Sequence, residues 1–327
     1  MIKDIKYYRC KFLPKSKSNK IGLNVSRSAG LAPNKPVLLL SVIELIERGQ
    51  IQRNRIYLSP ELIATFLKFW HDLEIQRNPD IGLPFFHLRS DGFWHFKANP
   101  GFDYLESPQS KIKVRTVGSL SQAVEYVYLD TELFCLLTDP ISRNELTLVL
   151  IDSWFANKTE QLERSLSVDA FGNISEELLK MGGKVYQPEE VKTTDSQTRI
   201  VRDGAFRRMI TSIYGYRCAF CGLKVLNNLE NIVDGAHIKP FSKFYDNRIS
   251  NGLSLCKNHH WAFDRLWFSL NDDYTIVVSD SLFEDSPSAT PMKAFHGKRL
   301  FLPKSPHYHP RLDAIAWHRQ AFLNKAS

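Results

Sequence analysis

The sequence predicts an α+β protein built from two domains. Its 327 residues exceed what one ordinary hydrophobic core organises. The first half alternates helical patterns with an aromatic-rich segment of strand character, and the second half contains a cluster of cysteine and histidine residues at 218–260. We therefore expect a first domain at 1–156, a polar linker at 157–198 and a second domain at 199–327.

The positive charge of the chain is concentrated near its beginning. The formal net charge is +8, and residues 1–36 contain nine Lys or Arg but only one acidic residue, Asp4, so the remainder is balanced. This basic segment also carries Tyr7, Tyr8 and Phe12. It suits a polyanion such as DNA, because each phosphate contact adds salt-dependent affinity. A solvated, partly ordered leader is the other interpretation.

The cysteine content and the apolar runs predict a cytoplasmic protein without membrane segments. Five cysteines do not form a disulfide framework in a chain of this length, and Cys10 and Cys135 lie far in sequence from any partner. The start MIKDIKYY lacks the apolar core of a signal peptide. The longest apolar run, 37–46, contains Glu44 and is too short to span a bilayer.

The first domain is predicted to combine several helices with one hairpin. Proline in the first turn and glycine after the last residue delimit helices. Aromatic arms on both sides of Ser90-Asp91-Gly92 predict a β-hairpin at 84–96. The predicted helices span 36–48, 60 to about 77, a segment that begins at Asp130, and 140–155.

A polar stretch separates the two predicted domains. Residues 157–198 show few apolar repeats and contain Gly182-Gly183, which favours a linker with one helical piece at 174–181. The second domain is then predicted to begin with a helix at 200–214. The cysteine motif follows directly after this helix.

Two ligand pairs in the second domain predict a zinc site. Cys218 and Cys221 occur in YRCAFCG, and Cys256 and His259 occur in LCKNHH, where a helix is expected. Each pair can present its ligands on one side, so the four together can form a closed tetrahedral cage for Zn²⁺. A closed cage leaves no position for water, so this ion is predicted to be structural. The alternative is a set of ordinary buried cysteines.

The segment between and beside these ligands resembles the HNH, or ββα-metal, nucleases. The resemblance covers about residues 214–270 and rests on His237 in DGAHI, Asn251 fourteen residues later, and His260 nine residues after that. It implies two strands and a helix around a divalent ion. His237 would be the general base that takes a proton from water. Asn251 would tie the loop to the strand of His237, and His260 would bind a catalytic Mg²⁺ or Mn²⁺.

Helix geometry and one departure from the common pattern complete this prediction. His260 points about 100° around the helix from His259, so one helix can serve both metals. Asp264, one turn later, can accept a hydrogen bond from the second N–H of His260, or it can form a salt bridge with a neighbouring basic side chain.

Many HNH nucleases place a metal ligand immediately before the general base, where this chain has Ala236. Asp234 lies on the same face of an extended strand and can substitute, or it can be a turn residue.

Three segments of the first domain resemble the sulfur-binding domain of HNH restriction enzymes that recognise phosphorothioate DNA. They are APNKP followed by VLLLSVIELI, then LPFFHLRSDGFWHF, then LDTELFCLLTDPISRNEL, and together they span about residues 31–155. That domain surrounds the backbone sulfur with an apolar cup, which favours sulfur because it is larger and more weakly hydrated than oxygen.

The resemblance implies a DNA-reading site in the first domain. The cup would draw on Leu83 and Pro84, and the residues that contact DNA would be Asn34, Lys35, Arg89 and Arg115. Two departures bear on specificity: Leu83 replaces an aromatic residue, and Asn34-Lys35 replaces a His-Arg pair. The alternative is that Pro84 and its neighbours are hairpin core and that Lys35 belongs to a helix start.

Together these observations predict a modification-dependent restriction endonuclease that defends the cell against phosphorothioate-modified duplex DNA. A homodimer is compatible with this, because a single ββα site cuts one strand. One alternative is an HNH endonuclease that reads methylated or hydroxymethylated cytosine through an aromatic cage, for which Phe85, Phe86, Phe93 and Trp94 are candidates. The other is a non-catalytic, zinc-stabilised DNA-binding protein, which Ala236 would favour.

Overall fold

The computed structural model describes residues 3–23, 32–107, 116–166, 168–227, 230–285 and 287–326. The chain divides into two compact units. The first comprises Met1–Phe171 with Ser196–Val201, and the second comprises Gly172–Asp195 with Arg202–Ser327. No helix in these ranges is long and apolar enough to cross a membrane.

The first unit packs its helices around one almost entirely apolar helix, α2. Residues 36–46 of α2 are buried without exception, and α2 contacts α3, α4, α6 and α7. The elements of this part of the chain are α1 (Ile5–Phe12), α2 (Asn34–Glu47), α3 (Pro60–Asp72), α4 (Gly82–His87), β1 (Trp94–Ala98), α5 (Val117–Ala123), β2 (Val124–Leu129), α6 (Thr131–Thr138), α7 (Pro140–Trp154) and α8 (Thr159–Leu166).

The predicted helices of the first unit are confirmed, with one shortened end. Ser59 and Asp139 cap α3 and α7 by accepting backbone N–H groups, and a proline follows each cap. Helix α3 ends at Asp72 instead of continuing to about residue 77. Glu74 adopts a φ of 48°, and the indole of Trp70 donates to the carbonyl of Arg77. The chain therefore folds back over the helix end.

The predicted hairpin at 84–96 is wrong. Its first arm is helix α4, Gly92 ends a turn with a φ of 83°, and its second arm is β1. Strand β1 pairs antiparallel with β2, in a register that places Trp94 opposite Leu129. The aromatic side chains still explain the error, because Phe85 packs on Trp94 across the helix–strand contact, with ring centroids 5.5 Å apart. The aromatic residues at 84–96 therefore indicate a buried contact between a helix and a strand, and not the pairing of two strands.

The segment predicted as a linker contains helices. These are α8, α9 (Ala170–Met181) and α10 (Pro188–Thr193), and α9 covers the helical piece expected at 174–181. The polar composition of the segment reflects amphipathic helices. Leu162 is fully buried and Phe171 is 2% exposed, whereas their charged neighbours face solvent.

The second unit is built on an antiparallel strand pair, β5–β6, followed directly by a helix. The pair places Val233 opposite Cys256 and His237 opposite Gly252. The remaining elements are α11 (Ser196–Ile213), which begins in the first unit, β3 (Leu226–Asn227), β4 (Glu230–Asn231), β5 (Val233–His237), α12 (Phe241–Phe244), β6 (Gly252–Cys256), α13 (Lys257–Asp264), β7 (Phe268–Leu270), β8 (Ile276–Val278) and α14 (Leu312–Ala326). Helix α11 includes the predicted helix at 200–214 except for its last residue.

A buried carboxylate anchors the first helix of the chain. Asp130 accepts hydrogen bonds from Lys3 (2.8 Å), from the hydroxyl of Tyr8 (2.9 Å) and from His95 (2.8 Å). Burial raises its pKa, but the hydrogen bonds from Lys3, His95 and Tyr8 outweigh burial and hold the pKa below its ordinary value. The side chain of Asp130 therefore connects α1 to β1 and to the start of α6.

Replacing Asp130 with Asn should lower the free energy of unfolding by about 2 kcal/mol, because three hydrogen bonds to a charged acceptor are weakened. The folded-state pKa is depressed, so this stabilisation should be complete at neutral pH and lost as the pH falls through it, below about 4. Urea unfolding at pH 7 and pH 3 measures both effects. The exposed Asp152→Asn is the control, and an equal loss in both variants would contradict the assignment.

Candidate active site

The four predicted zinc ligands converge in the second unit. The ligand atoms of Cys218, Cys221, Cys256 and His259 all lie within 4.8 Å of one another. Nδ1 of His259 is 3.0 Å from Sγ of Cys256 and 3.7 Å from Sγ of Cys218. A tetrahedral zinc ion with bonds of about 2.1–2.3 Å needs ligand atoms roughly 3.6 Å apart. The cluster therefore can hold zinc.

Local backbone geometry presents these ligands. The amide of Gly222 donates to the carbonyl of Cys218 (2.9 Å), and Gly222 has a φ of 74°, so 218–222 forms a tight knuckle. A side chain at Gly222 would press against the ring of Phe301. The second pair lies where β6 becomes α13, since Cys256 is the residue that precedes the helix and His259 is in its first turn.

The protonation chemistry of the cluster also favours a cation. Hydrogen bonding to Cys221 and Cys256 raises the pKa of the Cys218 thiol, and hydrogen bonding from Cys218 and Cys221 lowers that of the Cys256 thiol. Sulfurs this close share protons unless a positive ion neutralises several thiolates together. Three sulfurs and one imidazole are the donors that zinc prefers among divalent ions.

The β5–β6 pair is covered on its two faces by different helices. Gly235 and Gly252 lie against α11, where a Cβ on Gly235 would be 2.8 Å from the Cα of Arg207 and a Cβ on Gly252 would overlap Ile210. Alternation along β5 places His237 on this same face. Asp234 and Ala236 point to the opposite face, which α13 covers. His237, at the end of β5, and Asp234, near its start, therefore lie on opposite faces of the strand pair.

His237 is a half-buried and oriented imidazole at the end of β5. Its ring stacks on Phe206 of α11 with centroids 3.9 Å apart and an interplanar angle of 3°. Its Nε2 lies 3.0 Å from Oδ1 of Asn247. Burial lowers the pKa of His237, and the hydrogen bond with Asn247 opposes this shift only in part. The neutral, proton-accepting form is therefore favoured at neutral pH.

Asn251 lies at the position where the HNH resemblance requires a residue that connects the loop to the strand of His237. The residue is fully buried, and its side-chain amide makes three backbone contacts. Oδ1 accepts from the amide of Lys239 (2.9 Å), while Nδ2 donates to the carbonyls of Lys239 and Asp246 (both 3.0 Å). These bonds join the chain after β5 to the chain before β6 and hold the end of β5 in place.

His260 lies between two carboxylates on the α13 side of the strand pair. Its Nδ1 is 3.7 Å from Oδ2 of Asp234, and its Nε2 is 3.7 Å from Oδ2 of Asp264. Both separations are too long for a direct hydrogen bond. Lys257 (3.1 Å) and Arg207 (3.8 Å) also lie beside the Asp234 carboxylate, so this carboxylate is ion-paired with basic side chains.

This arrangement fits a hard divalent ion. Two ligands about 2.1 Å from one Mg²⁺ lie up to roughly 4 Å apart, which accommodates the separation of Asp234 and His260. A carboxylate oxygen and an imidazole nitrogen are donors that Mg²⁺ and Mn²⁺ accept. With Nδ1 directed at the ion, Nε2–H of His260 would face Asp264, which can then fix the tautomer.

In the first unit the candidate DNA-reading residues are largely engaged in the fold. Lys35 pairs with the buried carboxylate of Asp91 at 2.5 Å. The other outcomes differ from residue to residue. Asn34 is the first residue of α2, Leu83 is half-buried, Pro84 is buried in α4, the guanidinium of Arg89 lies 4.1 Å from the ring of Phe86, and Arg115 lies outside the described residues.

Three residues that shape the site were not predicted from the sequence. Phe206 provides the stacking surface for His237, and Asn247 binds its Nε2. Asp246 is 3% exposed and pairs with Arg248 (2.9 Å) and Arg311 (3.0 Å), which fixes the backbone beside Asn247. Asn247 lies only four residues before Asn251, but nothing in the local pattern distinguishes it from an ordinary turn residue.

Removing the zinc ligands should unfold the second unit. Structural zinc sites contribute about 10–16 kcal/mol of binding free energy, whereas a whole domain is stable by about 5–15 kcal/mol. We expect one zinc per chain by elemental analysis, and loss of both the metal and the cooperative unfolding transition in Cys218→Ser. Cys135→Ser, at an exposed cysteine, is the control and should keep both. A folded, zinc-free Cys218→Ser would show that the cluster is not structural.

The chain was compared with protein-family models, curated proteins and solved structures, and the family comparison agrees with the site. Residues 218–271 match the family model described as HNH endonuclease. A search of curated proteins found no match. Among solved structures, the chain is similar to a protein titled "Modification dependent TagI restriction endonuclease", at 24% identity and a TM-score of 0.28, over 37% of this chain and 38% of that one. This chain thus spans well under half the length of that protein.

The family match lies on the part of the chain that forms the knuckle, the β5–β6 pair and α13. It includes both zinc half-sites and the three residues that carried the HNH resemblance. The prediction of an enzyme of this class is confirmed. Residues 218–271 form an HNH endonuclease domain, the domain of a divalent-metal-dependent DNA endonuclease.

Proposed function

We propose that this protein is a modification-dependent restriction endonuclease, in which residues 1–156 read a modification of duplex DNA and residues 199–327 cut the DNA. The observation that carries this proposal is the presence, within one HNH domain, of the oriented imidazole of His237 on one face of the β5–β6 pair and of the neighbouring side chains of Asp234 and His260 on the other. Since one such site cuts one strand, a homodimer would be needed for a double-strand break in a single encounter.

The geometry supports hydrolysis with His237 as the base. Its neutral imidazole takes a proton from a water molecule, and the water oxygen then forms a bond to the phosphorus. The bond from phosphorus to the 3′ oxygen breaks, and that oxygen takes a proton from solvent, which leaves 5′-phosphate and 3′-hydroxyl ends. Mg²⁺ or Mn²⁺ held by Asp234 and His260 would supply neutralisation of charge on the phosphate and the leaving oxygen.

Phosphorothioate is the modification that we propose for the reading domain. Leu83 is half-exposed beside Pro84 at the start of α4, so an aliphatic surface is available for a weakly hydrated sulfur. Arg89, in the turn after α4, would provide positive charge for a flanking phosphate, whereas Lys35 is paired with the buried carboxylate of Asp91. The segment order that resembles the sulfur-binding domain supports the same assignment.

A reader of modified cytosine remains the second candidate. Such a reader needs an open aromatic cage for a flipped base. The candidate rings of Phe85, Phe86, Phe93 and Trp94 are each at most 2% exposed and pack in the core. A cage would therefore require other residues, which favours the phosphorothioate proposal.

The decisive test compares cleavage of three matched plasmids, unmodified, phosphorothioated and cytosine-methylated, with Mg²⁺ and with Mn²⁺. We expect cleavage of the phosphorothioated plasmid and a loss of at least about 100-fold in His237→Ala, because the general base contributes on that order. Binding of the modified plasmid, measured by gel shift, should be retained in this variant.

A second variant separates reading from cutting. Leu83→Asp should weaken binding of the phosphorothioated plasmid, because a carboxylate repels the DNA backbone and removes the apolar surface. Leu148→Asp, an exposed leucine of α7, is the matched control. Preferential cleavage of the methylated plasmid would establish the second candidate, and DNA binding with no cleavage of any plasmid by zinc-loaded protein would favour the non-catalytic alternative.

A further inference from the structure

A segment before α11 is attached to the loop that carries Asn247. Residues 182–186, called here the 182–186 segment, run antiparallel to residues 245–249, called the 245–249 loop. Three backbone hydrogen bonds join them: Tyr186 N to Tyr245 O (2.9 Å), Asn247 N to Lys184 O (3.0 Å) and Ile249 N to Gly182 O (3.0 Å). Both belong to the second unit. The loop is therefore held along its length by a segment distant in sequence.

Gly183 makes this attachment close. It has a φ of 76°, and a Cβ at this position would overlap the carbonyl oxygen of Asn247 and lie 2.8 Å from the Cα of Arg248. Its neighbour Gly182 has a similar φ of 72° but meets nothing within 4 Å. The two glycines thus differ in one respect: only Gly183 is required by contact with the loop.

Asn247 in turn contacts the imidazole of His237 through its side-chain oxygen. Asn247 is 1% exposed, and its backbone N–H donates to the carbonyl of Lys184. Its side-chain Oδ1 lies 3.0 Å from Nε2 of His237. An amide oxygen accepts and cannot donate, so it requires the proton on Nε2. Stacking on Phe206 fixes the plane of the ring. Together the two contacts leave the Nδ1 lone pair as the proton acceptor.

We propose that Asn247 is a positioning residue for the catalytic base, and that the 182–186 segment holds Asn247 in the position that selects the Nε2–H tautomer of His237. This inference rests on the proposed function, because it concerns the base of the same hydrolysis. It assigns a role in the site to a segment outside the HNH match.

The surroundings of His237 contain few other groups that set its charge. On α11, Asp203 raises its pKa and Arg207 lowers it, and on the loop side Asp246 raises it, while Asp246 is itself paired with Arg248 and Arg311. Asn247 is the neutral partner in direct contact. A negative charge placed at this one position should therefore stabilise the imidazolium form and raise the pKa of His237.

The test uses zinc-loaded full-length protein and two readouts. The first is the pH dependence of plasmid cleavage, where Asn247→Asp should move the acidic limb upward by about one pH unit, because the imidazolium gains a charged partner. Asn247→Ala should lower kcat by about 10–100-fold with little change in KM, as expected for loss of an orienting partner. Asn271→Asp, at an asparagine of the β7–β8 turn, is the control and should leave the profile unchanged.

The second readout does not depend on cleavage. Nitrogen-15 NMR of histidine-labelled protein reports the tautomer and pKa of His237 directly. We expect the Nε2–H tautomer in the wild type, a mixture of tautomers in Asn247→Ala, and a raised pKa in Asn247→Asp. If no plasmid is cut but these NMR results are obtained, the positioning inference stands and the proposed function fails.

A glycine pair tests the 182–186 segment. Gly183→Ala should reproduce the tautomer mixture of Asn247→Ala, whereas Gly182→Ala, which carries the same backbone strain without the overlap, should not. An unchanged tautomer in Asn247→Ala together with an unchanged pKa of His237 in Asn247→Asp would overturn the inference. Equal effects of the two glycine variants would overturn the part assigned to the segment, and Asn247→Asp keeps the first part testable if Gly183→Ala fails to fold.

Discussion

The four-ligand cluster is the constraint on which the second unit depends. It joins the knuckle that follows α11 to the first turn of α13, and the β5–β6 pair lies between these two points in the chain. Strands of five residues and a helix of eight bury too little surface to hold such a geometry by themselves. A metal ion held by the cluster would supply a cross-link between these elements. It would also fix the direction of α13, from which His259 and His260 project at adjacent positions.

The strand pair then separates the two chemical tasks of the site. Alternation along β5 directs His237 toward α11 and Asp234 toward α13, so the proposed base directly contacts an aromatic ring and a neutral amide, whereas the proposed metal ligands contact charged groups. The two environments have opposite effects. Burial against Phe206 favours a neutral imidazole, whereas the Asp234 carboxylate gathers cations. Ala236, at the position where a ligand is more common, is fully buried on the α13 face.

Buried carboxylates organise the first unit in a comparable way. Asp91 binds Lys35, Asp130 binds Lys3, and Glu44 binds Lys68, all within 2.8 Å. A carboxylate of this kind costs desolvation energy that only a paired cation offsets. Part of the basic charge near the start of the chain is therefore used inside the fold. Only the remaining lysine and arginine side chains are available for a DNA backbone, which reduces the polyanion surface that composition alone suggested.

Local spacing determined much of this protein. The four ligands of the metal cluster and the helices α2, α3, α6, α7 and α11 follow from ligand intervals, caps and apolar periods that lie within a few turns of chain, so the sequence by itself predicted them. The pairing of β1 with β2, the helix α4 in place of a hairpin arm, and the contact of Asn247 with His237 did not follow from it. These features depend on segments that are distant in sequence and meet only when the chain packs. Burial, backbone hydrogen bonding and close contact at Gly183 select them, and no periodicity along the chain records those contacts, so only the tertiary structure decided them.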